Sequence, residues 1–463
     1  VIWVERETDE GHEQYEEEIP ALLSVTELIV RASRRPTPEE LEASEKGPIE
    51  IWTSSDLGVD PSLVGAAGSP TRVAELRSSE LDRKGTIISG EDIEDSTQQL
   101  MNYMLENGLF EQRESPATHR PRRNSPTNPD PSKAIWVVAE LVGGVPRPVT
   151  YELLGKSQEL ADTLGGEVSA ILLGGPEATK HVSTLASYGA DTVYITNDAR
   201  LANYDTEMYT TVLANAILQF QPYLVLIPST TNGQDLAPRT AARLEIGLTG
   251  DCVGLELDDN GELAQIKPAF GGNIVAPIYS RTAPLMATVR PGMLDAVSPN
   301  ETVRPQIIQL EVPENVYPRV KLLNTILEPN LGATRLDDAE IVVAIGKGIG
   351  GPENVPEVKM LADAFGGALA ATLPVVSDQW LPNQLQLGLT GKTVAPRFYI
   401  AVGISGAPNH LVGAKKAEQI IAINNDPEAP IFQFADFGIV GDWAKVVPAL
   451  TRHLQAIRAQ DPN

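Results

Sequence analysis

From Ala134 onward the chain alternates short, wholly apolar runs with amphipathic stretches, and this alternation restricts the fold more than any other feature. Ile135–Ala139, Val168–Leu173, Thr192–Thr196 and Leu224–Pro228 read as strands buried on both faces. Between them, Thr150–Leu164, His181–Tyr188 and Tyr209–Phe220 carry apolar residues at helical spacing, and Ala237–Leu244 follows in the same way. Doubly buried strands joined by helices make a parallel sheet with helices on both faces. Residues 251–310 hold shorter strands and read as an antiparallel or mixed edge. A second unit starts near Ala339. Its strands are Ile341–Ile345, Arg397–Val402, Ile420–Ile423 and Ile431–Gln433, and its helices are Val355–Phe365, Leu411–Gln419 and Trp443–Ala456. The expected fold class is therefore α/β, with two parallel-sheet domains over 134–325 and 337–463.

The first 110 residues have a different texture. Val1–Val4 and Ile19–Val25 read as two strands of a hairpin around the acidic stretch Glu5–Glu18, and Ile49–Trp52 as one further strand. Ser96–Asn107 is a helix with Leu100, Met101, Met104 and Leu105 on its apolar face. So few periodic apolar positions cannot close a core, and an isolated hairpin is marginal. Residues 1–110 are expected to form an extended arm lying on the rest. Residues 111–133 are rich in proline and poor in apolar residues, so a mobile linker is expected, with Arg120, Arg122 and Arg123 as its solvated charge or, alternatively, as an interaction patch.

Composition narrows the function. The 463 residues carry a net charge of −26, which argues against nucleic acid or an anionic membrane surface as a general partner. No apolar run approaches the ~18 residues of a membrane span. Cys252 is the single cysteine. This excludes an intrachain disulfide and cysteine-rich zinc or iron–sulfur sites, and Cys252 reads as a buried core residue. Five scattered histidines offer no metal set. A cytoplasmic location is expected, with no signal peptide. The chain begins with Val, as a fragment or a processed product would.

Four loops of the last unit are expected to converge at strand ends: Gly346–Gly351, Gly388–Lys392, Gly403–His410 and Asn424–Asp426. Ligands of parallel sheets bind beyond the carboxyl ends of the strands. Glycines expose backbone N–H groups there, and a following helix adds partial positive charge, which suits a pyrophosphate. Ser405, Thr390 and Asn424 add polar groups. Glycines also serve tight turns and close packing, so the argument rests on several such loops at equivalent positions. No catalytic set is found: Ser405 and His410 lack an orienting acid and an oxyanion hole. No Gly-Lys-Ser/Thr follows the Gly346 turn, so ATP hydrolysis is not supported.

The runs Leu387–Pro396, Tyr399–Ala407 and Ala422–Phe432 resemble the FAD domain of the electron transfer flavoprotein α subunit. Residues 134 to about 299 are similar to that subunit's N-terminal domain, most tellingly at Ser229-Thr230, Pro238–Leu244 and Gly271-Gly272-Asn273. Pro20–Thr26, Pro48–Glu50 and Asp56–Asp60 resemble the C-terminal part of the same flavoprotein's β subunit. The resemblance implies a β–α fusion lacking the first part of β. It also implies a FAD-dependent electron carrier, without substrate chemistry of its own, between acyl-CoA dehydrogenase-type flavoenzymes and the electron transfer flavoprotein-quinone oxidoreductase of a membrane. Fatty acid β-oxidation is the implied setting. The alternative is a nucleotide-binding or structural assembly protein of the same fold that has lost electron transfer.

The implied FAD contacts are Lys347, Thr372, Leu387, Gly388, Leu389, Thr390, Ser405, Gly406, Ala407, Pro408, Asn409, His410, Asn424, Asp442 and Trp443, with no catalytic residue and no metal. Thr390 would approach the flavin's N5 edge, His410 its pyrimidine edge, and Ser405, Gly406 and Asn424 the phosphates and adenosine. AMP would bind only with the β subunit's N-terminal domain, which is the implied partner. Three positions depart from the family pattern. Leu373 and Leu389 stand where it has arginine and glutamine, and Lys347 replaces an arginine, keeping charge but losing the bidentate fork.

Overall fold

The computed structural model describes residues 1–25, 36–47, 49–78, 83, 85–110, 121–269, 274–327, 336 and 339–460. Thr26, Pro48, Arg120 with the rest of 111–120, and Gly271-Gly272-Asn273 lie outside the described residues. So does most of the stretch joining the two expected α/β domains.

Two seven-stranded, all-parallel sheets dominate the molecule. The first runs Thr249–Cys252, Leu285–Val289, Leu224–Pro228, Ile135–Ala139, Val168–Leu172, Thr192–Ile195, Gln306–Gln309. The second runs Gln386–Leu387, Ala368–Thr372, Ile341–Ile345, Phe398–Val402, Gln419–Asn424, Phe437–Val440, Thr86–Ser89. In both, the central strands are buried on both faces, as their unbroken apolar runs require. Strand order reverses beside Ile135–Ala139 in the first sheet and beside Ile341–Ile345 in the second, and each reversal opens a crevice at the carboxyl edge. The α/β class is thus as expected. Cys252 is fully buried in the first core.

The last strand of the second sheet comes from the N-terminal segment, and the other pieces of that segment behave alike. The hairpin Ile2–Thr8 and Gly11–Glu17 pairs with Lys321–Leu327. Thr71–Val73 and Arg77–Ser78 extend the small antiparallel sheet of Gly254–Leu257, Leu263–Ala269 and Ile274–Ser280. The helix Ile93–Glu106 buries Leu100, Met101 and Met104 completely in the core shared with Val446, Val447 and Leu450 of the helix Trp443–Gln460. Burying each such side chain is worth roughly 2 kcal/mol. Asp92 caps that helix by accepting from the Asp95 N–H at 3.1 Å. Leu105, expected on the same face, is exposed.

Several expectations are corrected. The second hairpin strand is the acidic stretch itself, Gly11–Glu17, and Ile19–Val25 is not a strand. Its strand state comes from pairing on both edges, which no apolar pattern announces. Ile49–Trp52 forms no ladder and is exposed. The helix expected at Ala237 begins at Thr231, because the Thr230 hydroxyl accepts from the Gly233 N–H at 3.1 Å and caps it there. The expected helix Leu411–Gln419 is only the short Pro408–Leu411 turn. Pro430–Gln433 is a 3₁₀ turn, and the strand is Phe437–Val440. Only part of the 251–310 edge is antiparallel; Thr249–Cys252, Leu285–Val289 and Gln306–Gln309 join the parallel sheet.

Arg122 and Arg123 are not solvated linker charge. Arg122 is buried, with Nη2 3.1 Å from Asp191 Oδ1 and Nε donating to the Ala186 carbonyl at 2.8 Å. Arg123 reaches the other Asp191 oxygen at 3.0 Å. A shared carboxylate and backbone carbonyls compensate the desolvation that a lone buried guanidinium would suffer, so residues 121–133 are docked on the first domain.

Candidate functional site

Lys347, Thr372, Leu387 to Thr390, Ser405 to His410, Asn424, Asp442 and Trp443 all lie at or just past the carboxyl ends of neighbouring strands of the second sheet. The parallel ladder brings together residues up to 96 positions apart in sequence. Their loops are tied to one another. The Asn424 carboxamide donates to the Ile404 carbonyl at 2.9 Å and accepts from the Asp426 N–H at 3.0 Å. The Leu389 N–H donates to the Asn409 carbonyl at 2.7 Å, joining the second loop to the third. Gly388 sits at φ +136°, and a Cβ there would come within 2.6 Å of that carbonyl, so no larger residue fits. A Cβ on Gly346 would stand 2.1 Å from the Gly403 carbonyl oxygen. The Gly346 and Gly403 turns therefore interlock, and these two glycines serve close packing.

Ser405, Ala407, Pro408 and Asn409 are exposed, and Gly406 is buried behind them. The Asp442 carboxylate accepts from the Ala444 N–H at 3.1 Å at the start of the last helix, and Trp443 packs half-buried against the core. Thr372 is buried and directly precedes the short helix Leu373–Ser377. Lys347 is turned toward its own domain: its ammonium pairs with Asp378 and lies 3.9 Å from the Trp380 ring centroid.

His410 is placed differently from the expectation. Its Nδ1–H donates to the Leu387 carbonyl at 3.1 Å, which leaves Nε2 to accept from the Tyr399 hydroxyl at 2.5 Å. A carbonyl only accepts, which fixes this tautomer. Burial holds its pKa down at about 4, so the ring is neutral. With both nitrogens engaged inside the protein, the ring offers no atom to a ligand's pyrimidine edge in this arrangement. It braces the Leu387–Thr390 loop instead.

A cleft of about 640 Å³ opens between this loop, the first domain and the N-terminal hairpin, within the ordinary range for small-molecule sites. Of the expected residues, Leu389 and Thr390 line it. Thr390 accepts from Gln386 Nε2 at 2.9 Å. From the first domain, Arg290 forms a bidentate pair with Asp251 at 2.5 Å and donates from Nη1 to the Thr393 hydroxyl at 3.0 Å, bridging the two domains. Glu152 accepts from the Gly292 N–H at 2.9 Å, and burial raises its pKa to about 7. From the hairpin, Glu7 pairs with the Asn383 side chain. Gln384 beside it has both amide atoms buried without a partner among the described residues. None of these was singled out from sequence. Arg290 had a legible signal, a cation directly after the strand Leu285–Val289; Gln384 had none.

The first sheet's equivalent edge lines the other side of the same cleft, and there the chain's own carboxylates meet a helix N-terminus. The Asp9 carboxylate accepts from the Thr231 N–H at 3.1 Å and from its hydroxyl at 3.0 Å, at the N-terminus of the helix Thr231–Leu244. Arg147 pairs with Asp9 at 3.0 Å and Glu10 at 2.5 Å. Among the described residues no helix is long and apolar enough to cross a membrane.

Two family models match the chain in tandem: the electron transfer flavoprotein domain over residues 135–315, and the electron transfer flavoprotein FAD-binding domain over 335–415. The chain is 42% identical over 329 residues to the electron transfer flavoprotein subunit alpha of Thermoanaerobacterium thermosaccharolyticum, covering 70% of this chain and 99% of that one. It is 40% identical to protein FixB of Azorhizobium caulinodans, covering 70% of this chain and 89% of FixB. It is 37% identical to subunit LctC of the lactate dehydrogenase (NAD(+),ferredoxin) of Acetobacterium woodii, with 69% and 76% covered. Both sheets, the loops at the carboxyl edge of the second, and these likenesses over nearly the whole length of α-type relatives place the chain in the electron transfer flavoprotein α-subunit family.

Proposed function

We propose that this chain binds FAD at the carboxyl edge of its second sheet and carries electrons between acyl-CoA dehydrogenase-type flavoenzymes and a membrane quinone oxidoreductase. The observation that carries the reading is the convergence of four loops at that edge, the first three of them inside the segment matched by the FAD-binding domain. The donor set fits the group. Exposed Ser405 and Asn409 and the Gly403–Ala407 backbone suit phosphates and ribose, and the adjoining cleft has the size for a ring system. An orphaned carboxamide in that cleft agrees with a ring carrying hydrogen-bonding edges.

The flavin, when bound, supplies reversible electron transfer; the protein binds it, orients it and sets the charge around it. In this reading Asn424 holds the phosphate loop by its bond to Ile404. His410 fixes the Leu387 carbonyl, and Thr390 presents its hydroxyl toward the reactive edge. Leu373 and Leu389 make the surroundings less polar than the family pattern. Lys347, held by Asp378, restores no charge at the ring while that pair persists, so a low reduction potential is expected.

Residues 1–110 are read as the C-terminal part of a β subunit, fused in front of the α-type domains at 134–325 and 337–463, with 111–133 between. A β-type N-terminal domain is the proposed partner, and AMP would bind there. The exposed Trp3, Leu22, Ile51 and Trp52 support an arm that has more surface to cover. The test is a visible absorption spectrum of the purified protein, followed by reduction with an acyl-CoA dehydrogenase and its substrate. A flavin spectrum near one equivalent, bleached by the dehydrogenase, is expected. A colourless protein that takes up no FAD would overturn the reading.

A further inference from the structure

Gln384 belongs to the turn Asn383–Leu385, which leads into the edge strand Gln386–Leu387 of the second sheet. It lines the cleft, and among the described residues neither its amide nitrogen nor its amide oxygen has a partner, although both atoms are buried. Its neighbours along the cleft are engaged. Asn383 is held by Glu7, Thr390 by Gln386, Thr393 by Arg290, Thr231 by Asp9 and Ser229 by Gln234. Arg147 leaves Nε without a hydrogen bond but is ion-paired to three carboxylates. A buried donor and acceptor left unmet cost folding free energy, and native proteins retain few without a reason.

We infer that Gln384 is a positioning residue for the flavin ring, meeting a C=O/N–H edge of it with its own N–H and C=O. The inference rests on the reading that FAD occupies this region. A carboxamide presents a donor and an acceptor side by side, and the complement of that pair is a cyclic amide or imide, such as the pyrimidine end of the flavin ring system. The charge of the cleft selects the ring over the pyrophosphate. Glu7, Asp9, Glu152 and Asp251 line it together with the cations Arg147, Arg290 and Lys392, and Arg147 and Arg290 are paired with Asp9 and Asp251, so most of its charge is already matched within the protein. An uncharged ring suits such walls; a phosphate does not. Leu389, the cleft-lining side chain of the neighbouring loop, is apolar and brings no competing amide.

The experiment compares wild type with Gln384→Leu as full-length protein stripped of flavin. FAD and ADP affinities are read by titration, the visible band of the reconstituted protein by absorption, and the melting temperature of each apo form by calorimetry. The expected results are a FAD Kd about tenfold higher, a shifted flavin band and an unchanged ADP Kd, because ADP carries no flavin ring. The apo variant should melt no lower than wild type, since it loses an unsatisfied amide. An unchanged FAD Kd and band in Gln384→Leu would overturn the assignment while leaving flavin binding intact. An apo variant that melts well below wild type would also overturn it, by revealing a structural role for the amide. Failure of the wild type to bind FAD at all would instead remove the reading beneath it.

Discussion

The two seven-stranded sheets have the same parallel architecture and the same reversal of strand order, and their carboxyl edges line one cleft, yet they present different groups to it. At the first, the hairpin tip brings Asp9 and Glu10 onto Arg147 and the start of the helix Thr231–Leu244, so the place where an anion would bind holds the chain's own carboxylates. At the second, the loops around Ser405 and Asn409 stay exposed beside the cleft that both edges line, with none of the chain's own carboxylates set against them in the way Asp9 is set against Thr231. A parallel sheet offers a ligand position by its topology; what fills it is set by the loops and by whatever else of the chain lies there.

The debt of the second sheet to the N-terminal segment gives the largest test of this contrast. Leu100→Ala with Met104→Ala empties two fully buried positions against the last helix. Large-to-small changes of this kind cost about 2–5 kcal/mol each. Denaturant unfolding should show the second domain destabilised by roughly 5 kcal/mol or more, with the first domain's transition unmoved. Equal loss in both would mean that the two sheets unfold as one unit.

The seam between the sheets comes next. Glu152 is raised to about 7, chiefly by burial and further by Asp295, against the Gly292 and Leu294 N–H groups and Lys416, which lower it. A carboxyl raised in the folded state favours folding below its unfolded value near 4.5, and that contribution is lost as pH climbs through 7. Relative to Glu152→Gln, the wild type should lose up to about 3 kcal/mol of stability between pH 4.5 and 7. Parallel stability–pH curves for the two proteins would show that the carboxyl titrates normally.

At the second edge, Asn424→Leu removes the bond to the Ile404 carbonyl and the Asp426 turn together. A FAD Kd at least 100-fold weaker, about 2.7 kcal/mol, is expected from equilibrium dialysis. Stoichiometric FAD in Asn424→Leu would place the cofactor elsewhere. At the first edge, Asp9→Ala deletes a helix-capping carboxylate and one partner of Arg147. A loss of about 1 kcal/mol is expected, shrinking in high salt. A salt-independent loss would point to packing of the hairpin rather than charge.

What could be read in advance follows from how each feature is encoded. Ile135–Ala139 and Ile341–Ile345 were legible because doubly buried strands must be apolar throughout, and Gly346 directly after the second of them marks its carboxyl edge. Gly11–Glu17 was not legible: its residues are polar, and its strand state comes from pairing with Ile2–Thr8 and Lys321–Leu327. Arg122 looked like linker charge because nothing local announces Asp191, 69 positions away. The loop residues from Leu387 to Asn424 could be gathered by strand ends and family pattern. The direction of His410 could not, since Tyr399 and the Leu387 carbonyl capture its ring only once the sheet has formed.

By itself, then, the sequence determined two parallel sheets and the loops at their carboxyl edges, because periodicity and glycine-rich turns are local properties of the chain, and it pointed to the family through the resemblance of the runs Leu387–Pro396, Tyr399–Ala407 and Ala422–Phe432. The tertiary structure alone decided that the Thr86–Ser89 strand and the Ile93–Glu106 helix complete the second domain. It also decided that Asp9 meets the helix N-terminus at the first edge, and that Gln384 faces the cleft with its hydrogen bonds unmade. Those outcomes depend on long-range pairing and on which polar groups find partners at closure, and no stretch of sequence records the distance between two groups that meet only in the fold.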